Sequence, residues 1–116
     1  MTEVIPILRV NDAHAAAGFY AVLGFELEWE HRFEPGLPLF VSIATWDGAR
    51  IFLSEHTGDA RPDTLLYIRV DDVDAAHRAV RDAAVDVAPP EDQPWGREFG
   101  VRDPDGNRLR IATHTE

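Results

Sequence analysis

The loop Pro94-Trp95-Gly96-Arg97-Glu98-Phe99 sets an indole between a proline and a glycine, then follows it with a guanidinium and a carboxylate. An aromatic side chain in such a loop is more often a binding or contact residue than part of a deep core. Trp29, Phe33 and Trp46 supply further flat surfaces for stacking a planar ligand. Phe40 and Phe52 fall in strand-like stretches, where side chains two positions apart share a face. Together these residues suit capture of an aromatic small molecule in a mostly apolar trough. Acidic neighbours (Glu30, Glu34, Glu55, Asp59, Asp63 and Glu98) would receive a cationic tail. Each assignment has a plainer structural counterpart: Trp29 and Trp46 as filling for a core or dimer seam, Arg97 and Glu98 as weak surface ion pairs.

Other chemistries find less support. Of the five histidines, His14 and His77 fall on helical patterns at positions expected to be solvated, and His114 falls in the C-terminal tail. His31 ends a strand-like run and Glu55-His56 follows another, so Glu55, His56 and His31 are the one alternative for a displaced metal site. There is no Ser/His/Asp order, no reactive cysteine and no phosphate-cradling glycine loop. The net charge of −10 argues against nucleic acid, whose phosphates must be neutralised by basic residues, and suits attraction of cations. No apolar run is long enough to span a bilayer, and Met1-Thr2-Glu3 lacks a secretory pattern. With no cysteine, a cytoplasmic location is the expectation.

The elements that must position these residues come in two similar sets. Val4 to Val10 reads as a strand. Asp12 caps a helix with Ala15, Ala16, Phe19, Val22 and Leu23 at helical spacing, closed by Gly24. Phe25 to His31 alternates as a strand, with Phe25, Leu27 and Trp29 on one side, and Leu39 to Thr45 and Ala49 to Ser54 flank the Asp47-Gly48 turn. The order then recurs: a strand from Thr64 to Val70, a helix capped by Asp72, a short strand from Val85 to Ala88, and a hairpin of Glu98–Arg102 and Asn107–Thr113 around Asp105-Gly106. Arg9-Val10-Asn11-Asp12 matches Arg69-Val70-Asp71-Asp72. The chain is therefore expected to be one α+β domain of two βαβββ units, about residues 1–56 and 63–116, whose strands curve around a cleft. Neither unit buries its own sheet face alone, so the units must pair within the chain or by exchange with a second chain.

Arg9-Val10-Asn11-Asp12, the Phe19-Tyr20…Leu23-Gly24-Phe25 helix exit and Asp103-Pro104-Asp105-Gly106-Asn107 resemble the vicinal oxygen chelate superfamily, which includes glyoxalase I, ring-cleaving dioxygenases and antibiotic resistance proteins. Gln93 to Phe99 is most similar to the bleomycin resistance proteins, which bind the drug without chemistry, and Pro6 to their segment that crosses to a partner subunit. The resemblance implies a homodimer with crevices between subunits and a ligand with a planar aromatic part and a cationic tail. The superfamily's enzymes hold a divalent metal at positions that correspond here to Ile5, Phe52, Leu65 and Arg110. Three of these have no donor atom and the fourth is cationic, so no metal or other cofactor is expected. The expected function is metal-independent sequestration of a bulky, partly cationic aromatic molecule of the bleomycin type. Trp29, Phe33, Phe40, Trp46, Phe52, Trp95, Glu98 and Arg110 would line the site. The alternatives are an isomerase- or lyase-like enzyme with a relocated or absent metal, and a binder of an unrelated metabolite.

Overall fold

The computed structural model describes residues 1–114; the second unit is expected to reach residue 116, and its last two residues, Thr115 and Glu116, lie outside the described residues. The first unit consists of β1 (Ile7–Arg9), α1 (Ala13–Ala21), β2 (Glu26–His31), β3 (Phe40–Ala44) and β4 (Arg50–Ser54). The second repeats it as β5 (Leu65–Arg69), α2 (Val73–Asp82), β6 (Glu91–Gln93), β7 (Gly96–Arg102) and β8 (Arg108–His114). Each unit forms its own four-stranded mixed sheet, in the orders β1-β4-β3-β2 and β5-β8-β7-β6, with the outer pair β1/β4 or β5/β8 parallel.

Local chemistry sets the elements. Asp12 and Asp72 cap the helices as expected, each accepting a bond from the backbone N–H three residues on (Ala15 at 3.1 Å, Ala75 at 3.0 Å). Gly24 takes φ +94° after α1, a left-handed conformation that suits glycine. The helix-facing sides of the strands build the core: Leu8, Val41, Ile43, Ile51 and Leu53 against Ala13, Ala16 and Tyr20 of α1, and Phe99, Val101, Leu109 and Ile111 in the second unit with Val73 and Val80 of α2. Burying each of the larger side chains contributes about 1.5–3 kcal/mol.

Several local expectations need correction. The first strand spans only Ile7–Arg9, although Pro6 still pairs with β4 by accepting a bond from the Phe52 N–H. Val85–Ala88 has no regular strand; Val85 and Val87 pack against the core, and pairing begins at Glu91, after Pro89 and Pro90, which have no N–H to give a ladder. β7 starts at Gly96, two residues earlier than expected. His114 belongs to β8 rather than to a loose tail. His77 is buried, not solvated, with its ring edge-on to Phe99 at 5.2 Å. A bulge between Leu27 and Trp29 breaks the β2 alternation, so Leu27 pairs with Ile43 while Trp29 pairs with Ser42 and turns to the other face.

Among the described residues, the units meet without strand pairing. Among the described residues, the hydrogen bonds between them all come from one turn. The Tyr20 hydroxyl donates to Asp103 Oδ2 at 2.8 Å, Asn107 Nδ2 donates to the Arg9 carbonyl at 3.2 Å, and the Asn11 N–H donates to Asp105 Oδ1 at 2.8 Å. Burial, followed by the neighbouring Asp103 charge, pushes the Tyr20 phenol well above its ordinary pKa and keeps it a donor.

Candidate functional site

The sheet faces turned away from the helices are the part of the fold that the core leaves open. On the first sheet, register sets Ile7, Phe52, Ser42 and Trp29 in one row, with Ser54, Phe40 and His31 in the next. Trp29 and Phe40 stack at 6.0 Å with 15° between planes, and Phe52 closes the cluster at 5.4 Å from Trp29 and 5.2 Å from Phe40. Trp29 is nonetheless 46% exposed. Phe33 extends this surface, edge-on to His31 at 4.6 Å and to His56 at 6.4 Å.

A polar bracket borders the aromatic cluster. Glu28, the bulge residue, accepts from the Ser42 hydroxyl at 2.7 Å and from Arg50 at 2.6 and 2.8 Å, and Arg50 also reaches Glu3 at 2.6 Å. Hydrogen bonds from Arg50 first, then Ser42, lower the Glu28 pKa to about 2. Arg50 is correspondingly held in its charged form by Glu28.

The second sheet offers a different surface. Tyr67 pairs with Arg110, and Arg110 with Gly100, so glycine leaves room beside the guanidinium. Arg110 lies 5.4 Å from the Tyr67 ring centroid and donates to Glu98 Oε1 at 2.7 Å. Trp95 sits in the two-residue turn between β6 and β7, half-exposed, with its indole N–H 3.5 Å from Glu98 Oε2. Tyr67 Oη is 2.7 Å from His114 Nε2, whose other ring nitrogen is 3.4 Å from Arg69. A cavity of about 510 Å³ opens here, lined by Leu65, Arg102, Arg108 and Arg110 among others. Gly96 is needed by the backbone: a Cβ there would lie 2.2 Å from the Thr113 carbonyl oxygen.

The eight expected site residues thus fall into three groups. Trp29, Phe40, Phe52 and Phe33 share the first sheet's open face; Trp95, Glu98 and Arg110 share the second's. Trp46 joins neither; it occupies the β3–β4 turn, beside a cavity between the units. Arg50 and Tyr67, which strand alternation sets beside Phe52 and Leu65, complete the two faces, together with Glu28, Arg69 and His114, which were not expected there. For most of them, strand alternation was the available signal.

The acidic residues are largely engaged elsewhere. Glu30 is paired with His14, Asp59 accepts from Ser54, and Asp63 takes Arg108. Both Glu55 oxygens accept backbone N–H bonds, from Ala13 at 2.9 Å and Leu39 at 3.0 Å, which commits the carboxylate to joining α1 to β3. Glu55, His56 and His31 are not grouped as a metal donor set. Ile5, Phe52, Leu65 and Arg110 offer no metal-binding atoms either. Among the described residues, no group of three or more His, Asp or Glu side chains is arranged to hold a metal. Among the described residues, no helix is long and apolar enough to cross a membrane.

A family model described as glyoxalase superfamily protein matches residues 1–116. No curated protein matches the chain. Among solved structures, the chain is similar to TnmS3, an antibiotic binding protein from Streptomyces sp. CB03234, at 25% identity and TM-score 0.83, covering 99% of this chain and 98% of that one. It shares the fold of a bleomycin resistance determinant encoded on the transposon Tn5 (23% identity, TM-score 0.78, all of both chains). It also shares the fold of a bleomycin-binding protein complexed with bleomycin (24% identity, TM-score 0.75, covering 99% and 100%).

Proposed function

The chain belongs to the glyoxalase superfamily, and on that premise we propose that it binds and sequesters a bulky, partly cationic aromatic small molecule without using a metal. A bleomycin-type antibiotic is the named candidate. The observation that carries this reading is the half-exposed Trp29–Phe40–Phe52 platform, an aromatic surface that the core does not cover. The similarity to an antibiotic binding protein supports the same ligand class. Sequestration needs tight, reversible contact only, and Ile5, Phe52, Leu65 and Arg110, at the positions that correspond to the superfamily's metal ligands, bring no metal-donor atom.

In this reading the ligand's planar part stacks on Trp29 and its neighbours, each aromatic pair adding about 0.5–1.5 kcal/mol beyond area burial. The polar edge is met by the Trp95–Glu98–Arg110 group of a second copy or of the same chain. Because Glu98 is already held by Arg110, the cationic part is attracted chiefly by the overall −10 charge and by Glu34, exposed in the loop next to Phe33. A homodimer sets open faces of the two subunits opposite each other and leaves the crevices between them. Substituting Trp29→Ala is expected to weaken bleomycin binding about tenfold while leaving the melting temperature nearly unchanged. Equal affinity of the two proteins in a fluorescence titration would remove the stacking role.

A further inference from the structure

The two seams between the units are built from equivalent parts and filled differently. The turns Thr45–Ala49 and Asp103–Asn107 have matching backbone bonds, Thr45 N–H to Ala49 O and Asp103 N–H to Asn107 O, both at 2.9 Å. The second turn meets Arg9–Asn11 and is bonded there through Asn107 and Asp105. By the repeat, the first turn meets Arg69–Asp71, but Ala49 stands where Asn107 stands and has no side-chain amide to donate. Asp47, the counterpart of Asp105, takes the Thr45 hydroxyl instead. A cavity of about 210 Å³ remains at this seam, between the turn and the strand-to-helix junction.

We propose that this seam cavity is a binding site, separate from the open sheet faces, for a small flat aromatic cation. Its inner wall is apolar, with Phe25, Ile68 and Val70 packed into or against the core. Trp46 lines its mouth and is 96% exposed, a large ring that contributes nothing to the core and presents a π-face to a cation. Asp47 and Asp71, both exposed, place two carboxylates on the rim. The one lining guanidinium, Arg69, reaches toward His114 on the second sheet's open face. An apolar wall, one ring and two carboxylates select a planar hydrophobic body that carries positive charge, and the net −10 raises the local concentration of such a molecule.

Benzamidine, a single ring bearing an amidinium, is a suitable probe, with neutral benzamide as its control. Titration into protein carrying ¹⁵N-labelled tryptophan reads the indole N–H signals of Trp29, Trp46 and Trp95 separately. The expected result is a saturable shift of the Trp46 signal alone, with benzamide weaker by about fivefold or more. Ala49→Asn supplies this seam with the amide that Asn107 gives the other and is expected to abolish the shift. Should that variant fold poorly, Asp71→Asn is expected to weaken benzamidine to the level of benzamide. A silent Trp46 signal, equal binding of benzamide and benzamidine, or unaltered benzamidine binding in the folded variants would overturn the proposal. Because bleomycin binding is read at Trp29, this result and that of the sheet-face reading are separable.

Discussion

Asp103 is a carboxylate almost sealed from water, 5% exposed, and its stability in that position rests on four donors. Its Oδ1 accepts the backbone N–H groups of Asp105 and Asn107; its Oδ2 accepts the Tyr20 hydroxyl and the Asn107 amide. A buried charge with incomplete partners is costly, and bonds to charged groups contribute about 1.5–3 kcal/mol each. Replacing Tyr20→Phe is therefore expected to lower unfolding stability by about that amount, measured as a shift in the urea midpoint; an unchanged midpoint would mean the bond is dispensable. The Asp103–Asn107 run was legible as a turn from its proline and glycine, but its partner lies 83 residues away in sequence, and local patterning says nothing about such a pair. His77 is a milder case. It stands four residues after Val73 and three before Val80, the spacing of one helix face, so its burial was present in the pattern and was outweighed by its polarity.

The helix exits show how equivalent elements differ in cost. After α1 the left-handed position is Gly24, with φ +94°; after α2 the corresponding position is Ala84, with φ +64°. An L-residue with a Cβ is disfavoured in that conformation by about 1–2 kcal/mol, whereas glycine is not. Ala84→Gly is expected to raise stability by about 1 kcal/mol, read as a higher melting temperature; a lower one would show that glycine's added freedom in the unfolded chain dominates. At this scale the sequence was most readable where caps and turns have strong chemistry: Asp12, Asp72, Gly24 and the two Asp-Gly turns stand where expected. It was least readable in β2 and before β6. Nothing in Phe25–His31 announces the bulge that separates Leu27 from Trp29, and Val85–Ala88 has strand-like alternation without a partner strand to complete it. The bulge matters for function, because it turns Trp29 onto the face it shares with Phe40 and Phe52.

The molecule as a whole is elongated, 47 × 36 × 23 Å, with one open sheet face per unit. Ile7, Trp29, Leu65 and Tyr67 on these faces are each at least 40% exposed, apolar surface available to a second copy of the chain. A homodimer that covers them is expected in sedimentation experiments at micromolar concentration, and Leu65→Glu is expected to shift it toward monomer; a wild-type protein that stays monomeric would remove the inter-subunit crevice. The repeat made the two-unit architecture legible, because the matched Arg9–Asp12 and Arg69–Asp72 segments bracket equivalent strand–helix junctions. The division of the aromatic and charged groups between two faces was not legible, since it depends on register and on how the units are set side by side. Metal-independent capture of an aromatic, cationic drug is tested by calorimetric titration of metal-free protein with metal-free bleomycin at low and high salt. Submicromolar binding at one ligand per subunit, weakening as salt rises, is the expected result. No heat, together with unchanged tryptophan fluorescence, would contradict it and leave only the fold.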